Sequence, residues 1–112
     1  MIEVNQNNFN DIEWEDVREG VRRKIYTGEG ATMGLNELQP GHEPKPHAHP
    51  YEQIVYILQG EGDFNVDGEV YHLTPGGLLV IPKDVTHFIT VTGTEPVLNL
   101  DIFTPKRLDY IR

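Results

Sequence analysis

His47 and His49, two residues apart, with Gln53 shortly after them and His87 further along, are the residues of this chain whose types and spacing point to chemistry. On an extended strand, residues i and i+2 face the same side, so both imidazoles can reach one ion. Gln53 shares that parity if Pro50 and Tyr51 leave the register unshifted, whereas Glu52 has the opposite parity. His87, after the turn Pro82-Lys83-Asp84, is the candidate for the fourth ligand. The chain has no cysteine, so a metal here must rest on imidazole, amide or carboxylate donors, and one divalent ion (Zn, Ni, Mn or Fe) suits such a set. Three histidines and a neutral glutamine leave the ion's full positive charge in place. The set therefore favours polarising a carboxylate, carbonyl or hydroxyl over dioxygen chemistry, and it welcomes an anionic ligand. His42 and His72 fall outside this spacing and read as ordinary histidines.

The elements that must position these donors read as β-strands. Short runs rich in Val, Ile, Leu, Thr, Phe and Tyr recur near 21–27, 32–39, 53–58, 61–66, 69–73, 78–82, 86–92 and 96–103. Turn residues separate them. Asp67-Gly68 is a two-residue hairpin signal, and Pro40-Gly41, Gln59-Gly60, Pro75-Gly76-Gly77 and Gly93-Thr94 mark further turns. About eight strands at this spacing, with no long helical pattern between them, predict an all-β sandwich or jelly-roll barrel. Residues 1–20 are polar and acidic, with Phe9, Ile12, Trp14 and Val17 spaced through them. They read as an N-terminal arm, helical turn or extended, ahead of a single barrel domain over 21–112.

The metal-ligand segments resemble the two cupin motifs. In the first, Gly41, His47, His49 and Gly60 match and the glutamate position holds Gln53; in the second, Gly76, Pro82 and His87 match while Asp84 replaces glycine and Val91 replaces asparagine. The resemblance implies the cupin double-stranded β-helix, with His47, His49, Gln53 and His87 as metal ligands. Trp14-Glu15-Asp16, Gly20-Val21-Arg22-Arg23-Lys24 and Asp101-Ile102-Phe103-Thr104-Pro105-Lys106-Arg107 extend the likeness to the KdgF-type cupins of pectin and alginate breakdown. What that resemblance implies is a metal-dependent conversion of 4,5-unsaturated uronate monosaccharides to the linear keto form, of isomerase or lyase type. Asp101, Phe103 and Arg107 are then functional residues beside the metal ligands. In Val97–Phe103, one face carries Val97, Asn99, Asp101 and Phe103 and the other Leu98, Leu100 and Ile102. If the first face is inward, Asp101 stands near the ion as general acid or base; if outward, Asp101 is solvated and the strand is an ordinary amphipathic one. Arg107 offers a planar fork to a substrate carboxylate, and Phe103 a wall for the sugar ring.

Composition bounds these readings. With 112 residues the chain is one domain, and its formal charge of −9 repels nucleic acid and anionic lipid. Arg22-Arg23-Lys24 is the only basic cluster. No signal-peptide pattern and no membrane-length apolar run is present, so the expected setting is cytoplasmic. The expected partners are a small anionic substrate, a sugar acid, and a second copy of the chain in a homodimer. A sugar acid entering so acidic a protein requires a locally positive cavity. Two other readings stand beside the uronate activity: a metal-dependent dioxygenase of a small organic acid, and a non-catalytic cupin that binds a small ligand.

Overall fold

A computed structural model of the chain describes residues 2–110. Nine strands run in the order β1 (Glu15–Arg18), β2 (Val21–Thr27), β3 (Thr32–Leu38), β4 (Glu52–Gln59), β5 (Gly62–Val66), β6 (Glu69–Leu73), β7 (Leu78–Ile81), β8 (His87–Val91) and β9 (Val97–Thr104). Short 3-10 turns cover Phe9–Asp11 and Leu108–Tyr110. The strands form a six-stranded sheet, β1-β2-β3-β9-β4-β7, and a three-stranded sheet, β6-β5-β8, with all ladders antiparallel. This is the jelly-roll arrangement of a cupin barrel. Val21, Leu38, Val55, Ile57, Phe64, Ile81 and Val97 fill the space between the sheets.

The strands from residue 21 onward fall within a residue or two of their sequence expectation. Asp67 and Gly68 both take positive φ, 50° and 85°, as the hairpin reading requires. Asp84, where the motif has glycine, also takes positive φ, 63°, and its N–H donates to the His49 carbonyl at 2.8 Å. Aspartate is among the few residues that tolerate the left-handed region. The N-terminal segment departs from a plain arm: Glu15–Arg18 pairs with β2 as an edge strand. Its outer half covers β2, with the Trp14 ring over the Arg22 guanidinium (4.3 Å) and the Lys24 ammonium (4.7 Å), while Lys24 Nζ donates to the Phe9 carbonyl at 2.6 Å.

Register in the large sheet arranges the inner face in rows. One row is Arg23, Asn36, Asn99 and Ile57; the next is Ile25, Gly34, Asp101, Val55 and Leu79; the next is Thr27, Thr32, Phe103, Gln53 and Ile81. The outer face of β4 and β7 stays apolar and open to solvent, with Tyr56 paired to Leu78, Ile54 to Val80, and Tyr56, Leu58, Leu78 and Val80 all exposed.

Gly60, at φ 78°, closes the turn after β4; a Cβ there would lie 2.5 Å from the Pro96 carbonyl oxygen, whereas Gly41, at φ 82°, has open space around it. A left-handed backbone alone costs a non-glycine residue about 1–3 kcal/mol. In urea denaturation Gly41→Ala is expected to lose stability of that order and Gly60→Ala distinctly more. Equal losses would show that the chain around Pro96 yields freely.

Candidate metal centre and cavity

Strand geometry does not bring His47 and His49 together. His47 lies in the loop between β3 and β4, where it forms an isolated bridge with His87 through a pair of backbone hydrogen bonds of 3.1 and 2.9 Å. Pro44, Pro46 and Pro50 remove N–H donors from this loop, so no ladder can run through it. The histidines converge all the same. The ligand atoms of His47, His49 and His87 lie within 4.8 Å of one another. Each ring is oriented by its own local backbone: Nδ1 of His47 meets the Lys45 carbonyl at 2.7 Å, Nδ1 of His49 the Tyr51 carbonyl at 3.2 Å, and Nδ1 of His87 the Val85 carbonyl at 2.9 Å. These carbonyls can only accept, so each Nδ1 carries the proton and each Nε2 keeps its lone pair free.

The free lone pairs test whether the site suits an ion. Nε2 of His87 is buried without a hydrogen-bond partner. Nε2 of His49 faces Oε1 of Gln53 at 3.0 Å, which with Nδ1 protonated sets two lone pairs against each other. Protonating the two buried rings is disfavoured: burial pushes His87 down to about 4, and burial, then the Arg107 charge, lowers His49. A cation accepting all these lone pairs resolves both features, so the three-histidine cluster suits one divalent metal ion. Gln53 is buried on β4, and Glu52 beside it is exposed.

The cluster opens into a cavity of about 340 Å³. Four of the chain's nine lysines and arginines line it, Arg18, Arg23, Lys45 and Arg107, against a single carboxyl, Asp101. A chain of charge −9 thus has a positive interior. Asp101 lies on the buried face of β9 with Val97, Asn99 and Phe103. Asn36 Nδ2 donates to its Oδ2 at 2.8 Å and Asn99 Nδ2 to its Oδ1 at 2.7 Å, and Gln53 is hydrogen-bonded to it as well. Burial pushes the Asp101 carboxyl up to about 7 against the pull of these amides and of Arg107, which places it near the range where a carboxyl can both take and give a proton.

Phe103 is fully buried and packs edge-on against His49 and Tyr110. Arg107 is enclosed by three rings, Tyr110 at 3.9 Å, Phe103 at 4.8 Å and Tyr51 at 5.4 Å from its guanidinium carbon. Asp109 takes its Nε and one Nη2 hydrogen at 3.0 Å each. The edge carrying Nη1 remains free to donate. His42 is buried away from the cluster, and His72 lies on the outer surface between Asp63 and Glu61. Asn36, Arg18, Lys45 and Tyr110 line the cavity without having been singled out from the sequence, and Arg23, marked there only as part of a basic cluster, lines it too. Arg23 and Asn36 share the inward parity of their strands, a signal that becomes readable only once the β2–β3 register is known.

A sequence profile of the cupin domain matches residues 34–103. The chain belongs to the cupin family. Among solved structures, KdgF from Halomonas sp. superposes with a TM-score of 0.83 at 27% identity, covering 95% of this chain and 100% of that one. An RmlC-like cupin from Shewanella frigidimarina gives 0.86 at 26% identity, covering 97% of both chains. Among curated proteins, polyketide synthase CurC of Streptomyces cyaneus is 37% identical over 69% of this chain and 54% of its own length. The 5-nitrosalicylic acid 1,2-dioxygenase of a Bradyrhizobium species is 31% identical over 88% of this chain and 47% of its own. This cupin therefore spans about half the length of those two curated relatives. No helix among its described residues is long and apolar enough to cross a membrane.

Purified protein is expected to hold about one equivalent of a divalent ion by elemental analysis. His87→Ala removes a buried donor and should lower retention at least 10-fold, the scale already seen for outer-shell changes at metal sites. Unchanged stoichiometry and affinity in that variant would remove His87 from the ligand set.

Proposed function

We propose that this cupin is a metal-dependent enzyme that converts a 4,5-unsaturated uronate monosaccharide to its linear keto form. The observation that carries the reading is the single buried carboxyl of Asp101, in the same cavity as His47 and His87, where the lysine and arginine side chains outnumber it four to one. His47, His49, His87 and Gln53 would hold the ion, which when bound supplies Lewis-acid polarisation of a substrate oxygen. Arg107 donates from its free Nη1 edge to the uronate carboxylate, and its pairing with Asp109 and the enclosing rings fix its plane. Phe103 closes the wall beneath the ring. The reaction is an isomerisation: the anomeric hydroxyl loses its proton, the bond from the anomeric carbon to the ring oxygen breaks, and the enolate so released takes a proton on carbon to become the ketone. Asp101 receives the first proton and returns one to carbon, so no oxidant or co-reactant is needed. Asn36 and Asn99 hold both its oxygens in place.

The test follows loss of the substrate's enol-ether ultraviolet absorbance with metal-loaded protein, against a blank for spontaneous opening. Wild-type rates well above the blank are expected. Asp101→Asn should fall about 10²–10⁴-fold while keeping its metal, and full activity in that variant would remove Asp101 from the chemistry. The 31% identity to 5-nitrosalicylic acid 1,2-dioxygenase favours a second reading, oxygen-dependent cleavage of a small acid. Blank-rate sugar turnover together with substrate-dependent oxygen uptake would establish it instead.

The same reading has two copies pairing across the open apolar face of β4 and β7. The wild type should then elute as a dimer, and Leu78→Glu, at a residue 68% exposed, as a monomer with its fold intact. A monomeric wild type in light scattering would rule that pairing out.

A further inference from the structure

The four cations of the cavity are not equivalent. Arg107 is clamped by Asp109, and Arg23 donates to Glu15 at 2.8 Å with its guanidinium over Tyr110. Arg18 and Lys45 have no such partner: among the described residues neither makes an ion pair. Nε of Arg18 is buried with no hydrogen bond at all, and Glu43 acts on its charge only from beyond contact. That nitrogen has no accessible surface, so an anion entering the cavity is received at the terminal Nη groups of Arg18, which no carboxylate among the described residues pairs.

Placement adds a second observation. Arg18 and Lys45 line the 340 Å³ cavity and also a neighbouring hollow of about 450 Å³, whose far side is formed by Glu19 and the Gln39–Glu43 turn, so the two acidic groups lie on that side of the pair and not in the cavity. They form the wall where the two spaces meet. Lys45 stands next to the triad on its His47 side, since its carbonyl orients that ring, whereas Arg107 is packed with Phe103 and Tyr51, which contact His49. The metal cluster thus has a cationic group on each flank. One sugar-acid carboxylate occupies one flank and leaves the other unmet.

We propose that Arg18 and Lys45 form a second anion subsite, so that the cavity takes small acids bearing two carboxylates, one received by Arg107 and one by the Arg18–Lys45 wall. The inference rests on the uronate reading for its biological ligand, a diuronate. In an unsaturated diuronate the anomeric oxygen of the unsaturated ring is tied in the glycosidic bond, so its hemiacetal cannot open. Such a ligand occupies the site without turnover and competes with the monosaccharide. The glycosidic bond must then be broken by a hydrolytic or eliminative reaction before this cupin can act.

Calorimetry on metal-loaded protein compares digalacturonate with galacturonate, and glutarate with butyrate as a pair without sugar. The two-carboxylate member of each pair is expected to bind at least 10-fold more tightly, despite the like charge of the protein surface. In Arg18→Gln/Lys45→Gln that advantage should fall to within about 2-fold, and the single variant Lys45→Gln, at an exposed position, should show an intermediate loss if the double variant unfolds. A wild-type ratio near one in both pairs, or an advantage that survives both substitutions, overturns the subsite. A preference seen with glutarate but absent with the sugars keeps the subsite and removes the uronate reading. A preference in both pairs without turnover of the unsaturated monosaccharide keeps the subsite and removes only the proposed reaction.

Discussion

The site depends on the register of β9. That strand is hydrogen-bonded along both edges, to β3 on one side and β4 on the other, so its alternation cannot drift independently of its neighbours. A slip of one residue would turn Asn99, Asp101 and Phe103 outward and bring Leu98, Leu100 and Ile102 into the cavity. The Asp101 carboxyl then depends on three strands at once: Asn99 is on its own strand, Asn36 comes from β3 and Gln53 from β4. A buried carboxyl is tolerated because each oxygen meets a donor. Gly34 stands directly opposite Asp101 on β3.

The histidines are held by a different device. A proline-rich loop cannot join a ladder, so it orients His47 and His49 by bonding each imidazole Nδ1 to a carbonyl two residues away, at Lys45 and Tyr51, and His87 at the start of β8 does the same with Val85. The backbone pair between His47 and His87 then locks the loop to β8. Strands supply the carboxyl and the amides, while the loop before β4 supplies two imidazoles and the first residue of β8 the third. The strongly acidic exterior and cationic interior make opposite contributions to the potential, and a low-dielectric wall between them preserves the difference.

Much of this was legible in the chain. Alternation and turn residues located eight of the nine strands, and the spacing of His47, His49, Gln53 and His87 pointed to one centre. Asp101 and Phe103 were on one face of their strand, although the pattern alone left that face unassigned between core and solvent. The first strand was missed because Glu15-Asp16-Val17-Arg18 is short, polar and at an edge, where one neighbour and no core contact leave little hydrophobic imprint. His47 and His49 do converge, but not by the alternation of a strand, since Pro46 and Pro50 break the ladder that alternation requires. Arg18, Arg23 and Lys45 could not be read as cavity residues from a line of text. Their meeting is a matter of which strands are neighbours, and β1 and β2 lie far in sequence from β8 and β9.

Trp14 is the only tryptophan in the chain, and it lies in the N-terminal segment against the cations of β2, outside the cavity lining. The protein therefore carries a built-in optical reporter of a single event. Its fluorescence registers whether the N-terminal segment is docked on the sheet, and changes when that segment lifts into water.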